Sequence, residues 1–440
     1  MTRPRPDPTA KGGTVSIRRL APIVSMIVVV VAAAPASAGG PTTQLVSQYQ
    51  GVDAIHATCS TFGSRAISGD GRFVTFTTDD DALPGADGTD DVYVRNVVQG
   101  TTRLVSKNSD GEPADASSSD AIAISASGRF VAFSSSAENL PGGTGTEDLY
   151  LRDLQAGTTV LISKTSSGDE LDDDSDNPSI SSGGRYVAFR SSADVLPGED
   201  MVSNVYVRDR QARTTELVSQ TTAGVPANGD SDYPSVSGDG NRVSFQSNAN
   251  NLPGPDDLGR VFVHNMGTGA TRLASKASSG AFLDAGAFAS AGSLSADGRY
   301  VAFESDASNL PGATDTTDAY LHDTKTGTTR LMSRTTAGMP ANGDSGTVSV
   351  SSSGRYVAFE SDADNIGGVA GFIDVFLHDS QGGSTRLMSR NALGEKGDED
   401  SFYASVSGDG RFVAFTSRAD NFSPFDDDTV SNCFVRGPLG

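Results

Sequence analysis

Ser68-Gly69-Asp70-Gly71-Arg72-Phe73-Val74-Thr75-Phe76 is the stretch that decides the fold, because variants of it recur along the whole chain. Its second glycine returns every 56 to 58 residues, at Gly71, Gly128, Gly184, Gly240, Gly298, Gly354 and Gly410. A phenylalanine follows five residues later in each copy, at Phe76, Phe133, Phe189, Phe245, Phe303, Phe359 and Phe415. Self-similarity at a nearly fixed period predicts a repeat fold with seven units.

Each unit reads as four short β-strands. Strands are indicated by runs of β-branched and aromatic residues between Gly, Asp and Ser turns, as in Tyr186–Phe189, Val205–Arg208 and Thr214–Ser219. Outside the N-terminal segment we find no long stretch with helical periodicity. Seven units of four antiparallel strands predict an all-β, seven-bladed β-propeller.

The seventh unit ends at Gly440, before its fourth strand. Near the other end of the chain, Thr42-Thr43-Gln44-Leu45-Val46-Ser47 matches the fourth strand of the first unit, Thr101-Thr102-Arg103-Leu104-Val105-Ser106. We therefore expect residues 42–47 to pair with the strand around Phe434 and complete the last blade. Such pairing closes the ring and removes a free sheet edge.

Residues 60–440 resemble the TolB-like, WD-repeat-like β-propeller family. The resemblance lies in Ser68–Phe76, in Asp91-Val92-Tyr93-Val94-Arg95, and in their recurrences. The usual Ser-Pro-Asp-Gly of that family is here Ser-x-Asp/Ser-Gly, and the N-terminal α/β domain of TolB is absent. The resemblance implies a fold and a secreted interaction role, not a reaction.

The N-terminal segment has the features of a secretory signal peptide. Arg18 and Arg19 precede an apolar run from Leu20 to Ala34, and Ala36-Ser37-Ala38 forms a small-residue cleavage pattern. We expect residues 1–38 to be removed and residues 39–440 to form one propeller domain. The predicted location is secreted or extracytoplasmic, in the periplasm, in the cell envelope or outside the cell, without stable membrane insertion.

Acidic residues dominate the charge of the chain. The formal net charge is -22, which argues against a generic nucleic-acid binder because phosphates require a basic face. Most acids fall in the second-to-third-strand loops and the blade-to-blade loops, which leave the same face of an antiparallel blade. That face, here called the acidic face, is expected to be a solvated surface, a Ca²⁺ site or a docking surface for a cationic partner.

Two acidic loops hold the candidate Ca²⁺ ligands, because hard cations prefer carboxylate oxygens in flexible loops. The candidates are Asp79, Asp80, Asp81, Asp87, Asp90, Asp91, Asp172, Asp173, Asp174 and Asp176. Further acids cluster at Asp398–Asp400 and Asp426–Asp428. Asp91 also begins a third strand, where an Asx turn is the structural expectation.

Catalytic motifs are absent from the sequence: we find no nucleophile elbow, P-loop, zincin or EF-hand pattern. His264, His322 and His378 occupy one repeat position, and equivalent third strands lie too far apart to share an ion. We expect a non-catalytic monomeric scaffold that binds a protein or glycan on the acidic face, without a required cofactor. A propeller-type polysaccharide lyase or hydrolase, with its site near the channel, is the alternative.

The two cysteines are predicted to form a disulfide. Cys59 lies in the loop after the closing strand, and Cys433 begins the third strand of the last blade. Because the closing strand runs antiparallel to that third strand, the two thiols should meet at the seam of the ring. Secretion would permit oxidation.

Overall fold

Four-stranded antiparallel sheets follow one another along the chain as the blades of a propeller. The computed structural model describes residues 41–49, 52–53, 57–59, 65–193, 202–254, 258–290, 293–423 and 430–439. Residues 40–440 belong to one compact unit. Blades are numbered 1 to 7 by the repeat glycines, and their strands are called first to fourth in the order of the repeat.

The inner half of each blade consists of the first two strands. The first strands are Ser118–Ile124, Ser175–Ile180, Ser231–Val236, Ser345–Val350 and Ser401–Val406, in blades 2, 3, 4, 6 and 7. In blades 1 and 5 the described residues at this place form isolated bridges, such as Ile67 to Val74 and Leu294 to Val301. The second strands are Phe73–Thr78, Phe130–Ser135, Tyr186–Ser191, Arg242–Ser247, Tyr300–Ser305, Tyr356–Ser361 and Val413–Ser417.

The outer half of each blade is more regular. The third strands are Asp91–Asn96, Asp148–Asp153, Asn204–Asp209, Arg260–Asn265, Asp318–Asp323, Asp374–Asp379 and Asn432–Gly437. The fourth strands are Thr101–Leu104, Thr158–Leu161, Thr214–Leu217, Ala270–Leu273, Thr328–Leu331, Thr385–Leu387 and, for blade 7, Thr42–Leu45. A small hairpin (Gln48–Tyr49 with Val52–Asp53) and a 3₁₀ turn (Asp420–Phe422) complete the regular elements.

The N-terminal strand closes the ring, as the sequence predicts. Thr42–Leu45 pairs antiparallel with Asn432–Gly437, with Leu45 opposite Phe434. The first strands of neighbouring blades also meet: the Ala66 amide donates to Ser405 Oγ at 3.2 Å. On the face opposite the acidic face, the Asp409 amide donates to the Gly69 carbonyl at 2.9 Å. These contacts join blade 7 to blade 1.

The predicted disulfide is present at this seam. Cys59 and Cys433 are bonded, with their Cα atoms 4.9 Å apart. The expected juxtaposition of Ser47 and Cys433 is confirmed, because the Cys433 amide donates to Ser47 Oγ at 3.1 Å. The bond therefore links the loop after the closing strand to the last blade.

Packing between blades explains why the repeat needs a glycine. A Cβ on Gly184 would lie 2.3 Å from a ring carbon of Phe130 in the preceding blade, and Gly184 has a φ of +71°. The equivalent aromatic of each blade except blade 4 covers the repeat glycine of the next blade. Within a blade, the repeat phenylalanine packs on the third-strand aromatic, as Phe76 does on Tyr93 with centroids 5.5 Å apart.

Repeated arginines form ion pairs within their own blades. Arg129 and Arg185 each hold the aspartate at the end of their own third strand, with N–O distances of 2.6 Å. The same arginines lie 4.8 Å from the ring centroids of Phe130 and Tyr186. The equivalent pairs in blades 5 and 6 are Arg299–Asp323 and Arg355–Asp379.

The third-strand histidines have a structural role. Nδ1 of His264, His322 and His378 each lies 2.8 Å from a threonine hydroxyl of the same blade's fourth strand. Arg152 occupies the same position in blade 2 and donates to Thr159 at 2.9 Å. The three histidines therefore lie in three different blades.

Asp91 does not form the Asx turn that the sequence suggests. Its Oδ1 accepts a hydrogen bond of 2.6 Å from Ser106 at the end of the fourth strand. Ser106 Oγ in turn accepts the Val92 amide at 3.1 Å. Asp148 and Ser163 repeat this contact at 2.7 Å. The aspartates that begin the third strands of blades 1 and 2 thus connect them to the ends of the fourth strands by hydrogen bonds.

Two sequence predictions concern parts of the chain outside the described residues. The predicted signal peptide, residues 1–38, lies there, and so does the acidic run Asp426–Asp428. Among the residues that are described, no helix is long and apolar enough to span a membrane.

Candidate functional site

One repeat position departs from the uniformity of the blades. It lies one residue after the repeat phenylalanine, near the acidic end of the second strand, and is occupied by Thr77, Ser134, Arg190, Gln246, Glu304, Glu360 and Thr416. Its partner on the innermost strand is Asp176 in blade 3 and Asp232 in blade 4. Because the first strands surround the channel, these side chains lie at its mouth on the acidic face.

We call Asp176, Arg190, Asp232, Glu304 and Glu360 the channel-mouth cluster. It contains four carboxyl groups and a single guanidinium, contributed by blades 3 to 6. The equivalent second-strand positions of blades 1, 2 and 7 carry hydroxyl side chains instead. At these second-strand positions the charged side chains are therefore confined to blades 3, 5 and 6.

In blades 3 and 4 the guanidinium bridges two acids. Arg190 Nη1 lies 3.0 Å from Asp176 Oδ2, and Arg190 Nε lies 3.8 Å from Asp232 Oδ2. Asp232 Oδ1 also accepts hydrogen bonds from Asn177 Nδ2 at 2.8 Å and from the Tyr233 amide at 2.6 Å. These three charged side chains are each about three-quarters buried.

In blades 5 to 7 the acids are held by uncharged donors. The Thr347 amide donates to Glu304 Oε2, and the Tyr403 amide donates to Glu360 Oε2, both at 2.8 Å. Thr347 Oγ1 joins the two acids by donating to Glu360 Oε1, also at 2.8 Å. Glu304 and Glu360 form no ion pair with any Lys or Arg in the described part of the chain.

A cavity of about 380 Å³ adjoins these two acids. Its walls include Glu304, Thr347 and Glu360, together with Asp344 and Asp362 from the surrounding loops. Gly346 leaves room for the Glu304 carboxyl group, because a Cβ there would lie 2.6 Å from its Oε2. The cavity is therefore lined by several acids without a neighbouring base.

A β-bulge in the innermost strand orients the backbone amides that donate hydrogen bonds to Glu304 and Glu360. The first strands slip register by a bulge in blades 3, 4, 6 and 7. Each bulge contains a non-glycine residue with positive φ, namely Asn177 (49°), Tyr233 (49°), Thr347 (46°) and Tyr403 (58°). Such conformations are costly for Thr and Tyr, and they persist where the surroundings impose them.

Burial favours the protonated form of the channel-mouth acids. It raises the pKa of Glu304 to about 7, with a smaller contribution from the charge of Glu360. It raises the pKa of Asp176 to about 6, against the opposing effect of Arg190. The pKa values of Asp232 and Glu360 are raised for the same primary reason. A cation entering the mouth would favour the ionised forms of all four.

The candidate Ca²⁺ ligands of the first loop lie apart from this cluster. Asp79, Asp81, Asp87 and Asp90 are exposed on the loop between the second and third strands of blade 1. The carboxylate of Asp80 caps the loop by accepting the Ala82 amide at 2.8 Å. Asp87 accepts the Thr89 amide and hydroxyl, at 3.1 and 2.7 Å. Asp91 is buried at the start of the third strand.

The second loop divides its candidates between solvent and the channel mouth. Asp172, Asp173 and Asp174 are exposed. Asp174 Oδ1 accepts the Glu147 amide at 3.2 Å, while Asp176 joins Arg190. In the described ranges, no three acidic, histidine or cysteine side chains are grouped so that they could share a metal ion.

Sequence reasoning missed Arg190, Asp232, Glu304 and Glu360 as site residues. The available signal was the variation at the position after the repeat phenylalanine. The preceding residue is Phe in every blade, whereas this position holds Thr, Ser, Arg, Gln or Glu. A position that changes between otherwise uniform blades has no shared packing role. The bulge that brings Thr347 and Tyr403 to the acids could not be read from the sequence.

Comparisons with known proteins identify the fold and leave the family open. No family model matches the sequence, and no curated protein is a significant match. An oligogalacturonate lyase from Vibrio parahaemolyticus superposes with a TM-score of 0.55 at 14% identity, over 90% of this chain and 96% of that one. The β-propeller domain of the trilobed protease from Pyrococcus furiosus gives 0.51 at 12% identity, over 86% and 94%.

TolB structures are also among the similar solved structures. A putative TolB from Agrobacterium tumefaciens is 16% identical over 62% of this chain and 80% of that one, with a TM-score of 0.40. At these identities the shared feature is the β-propeller architecture.

Proposed function

We propose that this protein is a non-catalytic binding propeller whose channel mouth receives a cationic group of a partner, such as a lysine or arginine side chain. The observation that carries the proposal is the pair Glu304 and Glu360. Both are half-buried, held in place by backbone amides, and without an ion-pair partner among the described residues. A guanidinium or ammonium entering the adjacent cavity would supply the missing charge.

The surrounding field supports the same proposal. The chain carries a net charge of -22, and the loops around the mouth add Asp344 and Asp362 to the cavity wall. Fields of this kind raise the local concentration of a cationic partner and speed its encounter. The Arg190–Asp176 pair, two blades before Glu304, is an example of a guanidinium bound at an equivalent position of the ring.

The test is binding of a tetra-arginine peptide to the mature protein and to the variant Glu304→Gln/Glu360→Gln. We expect the double variant to bind at least tenfold more weakly, because both buried carboxylates are lost. The matched control is Asp172→Asn/Asp173→Asn, which removes two charges from exposed loop positions on the same face. The control should lose only the salt-dependent part of the affinity.

Equal affinities for the two double variants would contradict the proposal. That result would mean that the peptide senses the overall charge of the acidic face. A protein or glycan partner that docks elsewhere on this face would then be the better interpretation.

Ca²⁺ binding by the acidic loops stays a separate proposal. Crowded carboxylates repel one another, and a divalent ion bound only to the folded state would raise its stability. The melting temperature should then be higher in millimolar Ca²⁺ than in chelator at matched ionic strength. Identical melting temperatures would dispose of this idea.

An enzymatic propeller is the alternative, and the raised pKa of Glu304 favours it. A carboxyl group with a pKa of about 7 is suited to general acid or base chemistry near neutral pH. A hydrolase at this site would release products from neutral or cationic polysaccharides, and Glu304→Gln would abolish the release. A lyase fits less well, because β-elimination needs a uronate unit in the substrate. Polyanionic substrates fit poorly, because the acidic mouth would repel them.

We also propose that the protein works in an extracytoplasmic compartment as a monomer. The Cys59–Cys433 disulfide supports this location, because such bonds persist in oxidising environments. N-terminal sequencing of the exported protein would locate the cleavage site. A start near Gly39 is expected.

A further inference from the structure

Blade 4 breaks the arginine–aromatic–aspartate triad on the face opposite the acidic face. In blades 2, 3, 5 and 6 an arginine and an aromatic open the second strand, and an aspartate ends the third. Blade 4 carries Asn241, Arg242 and Asn265 at these three positions. The cleft between blades 4 and 5 thus loses an aromatic ring and a carboxylate and gains a guanidinium at the aromatic's position.

Arg242 takes over the packing role of the missing aromatic. A Cβ on Gly298 of blade 5 would lie 2.7 Å from Arg242 Cδ, so the aliphatic stem covers this glycine. Its Nη1 donates to the Gly298 carbonyl at 2.8 Å. The stem is thereby fixed, and the guanidinium is held at the edge of the cleft.

A cavity of about 250 Å³ lies beside this guanidinium. Arg242, Arg272 and Lys276 of blade 4 and His322 of blade 5 contribute its basic side chains, and no acidic side chain is part of its lining. Asn265, Thr268 and Thr324 add polar side chains, while Val263 and Leu273 form apolar wall.

The neighbouring clefts are internal controls. The equivalent cavity between blades 5 and 6 includes Asp323 beside Arg299 and Arg330. The one between blades 6 and 7 includes Asp379 beside Arg386 and Arg411. Each of those cavities therefore contains a carboxylate that compensates its arginines, whereas the cavity between blades 4 and 5 has Asn265 in that place.

We propose that the cleft between blades 4 and 5 is a binding site for a small ligand bearing an oxyanion, that is, a phosphate, sulfate or carboxylate group. Arg242, Arg272 and Lys276 would supply the charge, and the asparagine and threonines would donate hydrogen bonds. Arginine suits this role because its planar fork matches oxyanions. The volume admits one such group with a small body, about the size of a sugar acid.

This site is independent of the channel mouth. It lies on the opposite face, between the outer strands of two blades, and it has the opposite charge. Failure of one proposal therefore leaves the other intact.

The experiment measures binding of inorganic phosphate, sulfate and glucuronate to the mature protein by calorimetry, with chloride as the ionic-strength control. We expect at least one of the three oxyanions to bind where chloride does not, and the preferred oxyanion identifies the ligand class. The variant Asn241→Arg/Arg242→Tyr/Asn265→Asp, which restores the triad of blades 2, 3, 5 and 6, should bind at least tenfold more weakly.

Two further variants keep the test decisive if the triple variant fails to fold. Arg272→Ala alters an exposed side chain and should weaken binding several-fold. Arg330→Ala, the equivalent change in the cleft between blades 5 and 6, should leave binding unchanged. No oxyanion binding above the chloride control, or equal binding by wild type and Arg272→Ala, would overturn the proposal.

Discussion

At the scale of single residues, contacts between blades explain most of the repeated sequence. The repeat glycine combines a positive φ with close approach of the preceding blade's aromatic, and Gly184 over Phe130 is an example. Gly157 has nearly the same φ, +74°, but has no atom within 4 Å of an added Cβ. Substitution of the two glycines therefore distinguishes the free-energy cost of backbone strain from the cost of a steric clash.

We predict that Gly184→Ala destabilises the protein more than Gly157→Ala does. Both changes place alanine in the left-handed region, at a cost of about 1–2 kcal/mol. Only Gly184→Ala also displaces an aromatic ring, and overpacking adds about 1–3 kcal/mol. Urea unfolding of both variants measures the difference, and equal losses would show that backbone strain alone explains the glycine.

At the scale of elements, the closing strand differs from the other described strands of the blades, because its partner lies at the other end of the chain. Besides its pairing with Asn432–Gly437, Thr43 Oγ1 accepts a hydrogen bond of 2.7 Å from Arg436. Leu45 joins the core that contains Phe415 and Phe434. Removing the strand would expose both a sheet edge and part of this core.

We predict that deletion of residues 39–48 from the mature chain lowers its free energy of unfolding by several kcal/mol. The reference is the chain that starts at residue 39, and chemical denaturation measures the difference. A chain that starts at residue 42 keeps the strand and should match the full-length control. Unchanged stability after the larger deletion would mean that the strand contributes little to ring closure.

The disulfide beside this strand gives a further prediction. Cys59→Ser/Cys433→Ser should lower the free energy of unfolding, since the bond closes 374 residues of chain. The chain-entropy description gives about 4–5 kcal/mol for long loops, and measured effects are often smaller. Chemical denaturation gives the difference, and thiol titration of the unfolded, unreduced wild type should find no reactive thiol.

At the scale of the whole molecule, buried carboxyl groups give stability a characteristic dependence on pH. Burial raises the pKa of Asp91, Asp148 and Glu304 to about 7. The folded state therefore keeps protons that the unfolded chain releases near pH 4. The favourable contribution of these groups is complete at low pH and is lost as the pH rises through 7.

We predict that the melting temperature falls as the pH rises from about 6.5 to 8. The range begins at about 6.5 because histidines of the unfolded chain titrate near that pH. Burial lowers the pKa of His322 and His378 to about 4, and the resulting destabilisation applies mainly below that window. Glu304→Gln should flatten the decline. A melting temperature that rises across this range would contradict the sign of the carboxyl shifts.

The amino-acid sequence was enough to predict the architecture, because each blade makes the same packing contacts and therefore carries the same residues at the same spacing. Six of the seven repeat glycines are covered by an aromatic of the preceding blade, and Thr42–Ser47 carries the pattern of the missing fourth strand. The Cys59–Cys433 bond followed from the direction of that strand. Repeat positions of this kind can be recognised in the sequence alone, since every blade repeats the same contact.

The contacts between unlike residues of different blades could be seen only in the folded structure. Glu304 and Glu360 come together through Thr347, whose amide reaches the acid because the innermost strand bulges. Arg242 and His322 line one cavity although 80 positions separate them in the chain. Sequence patterns within a blade specify its own packing, whereas a site between blades depends on the closed ring that places them side by side.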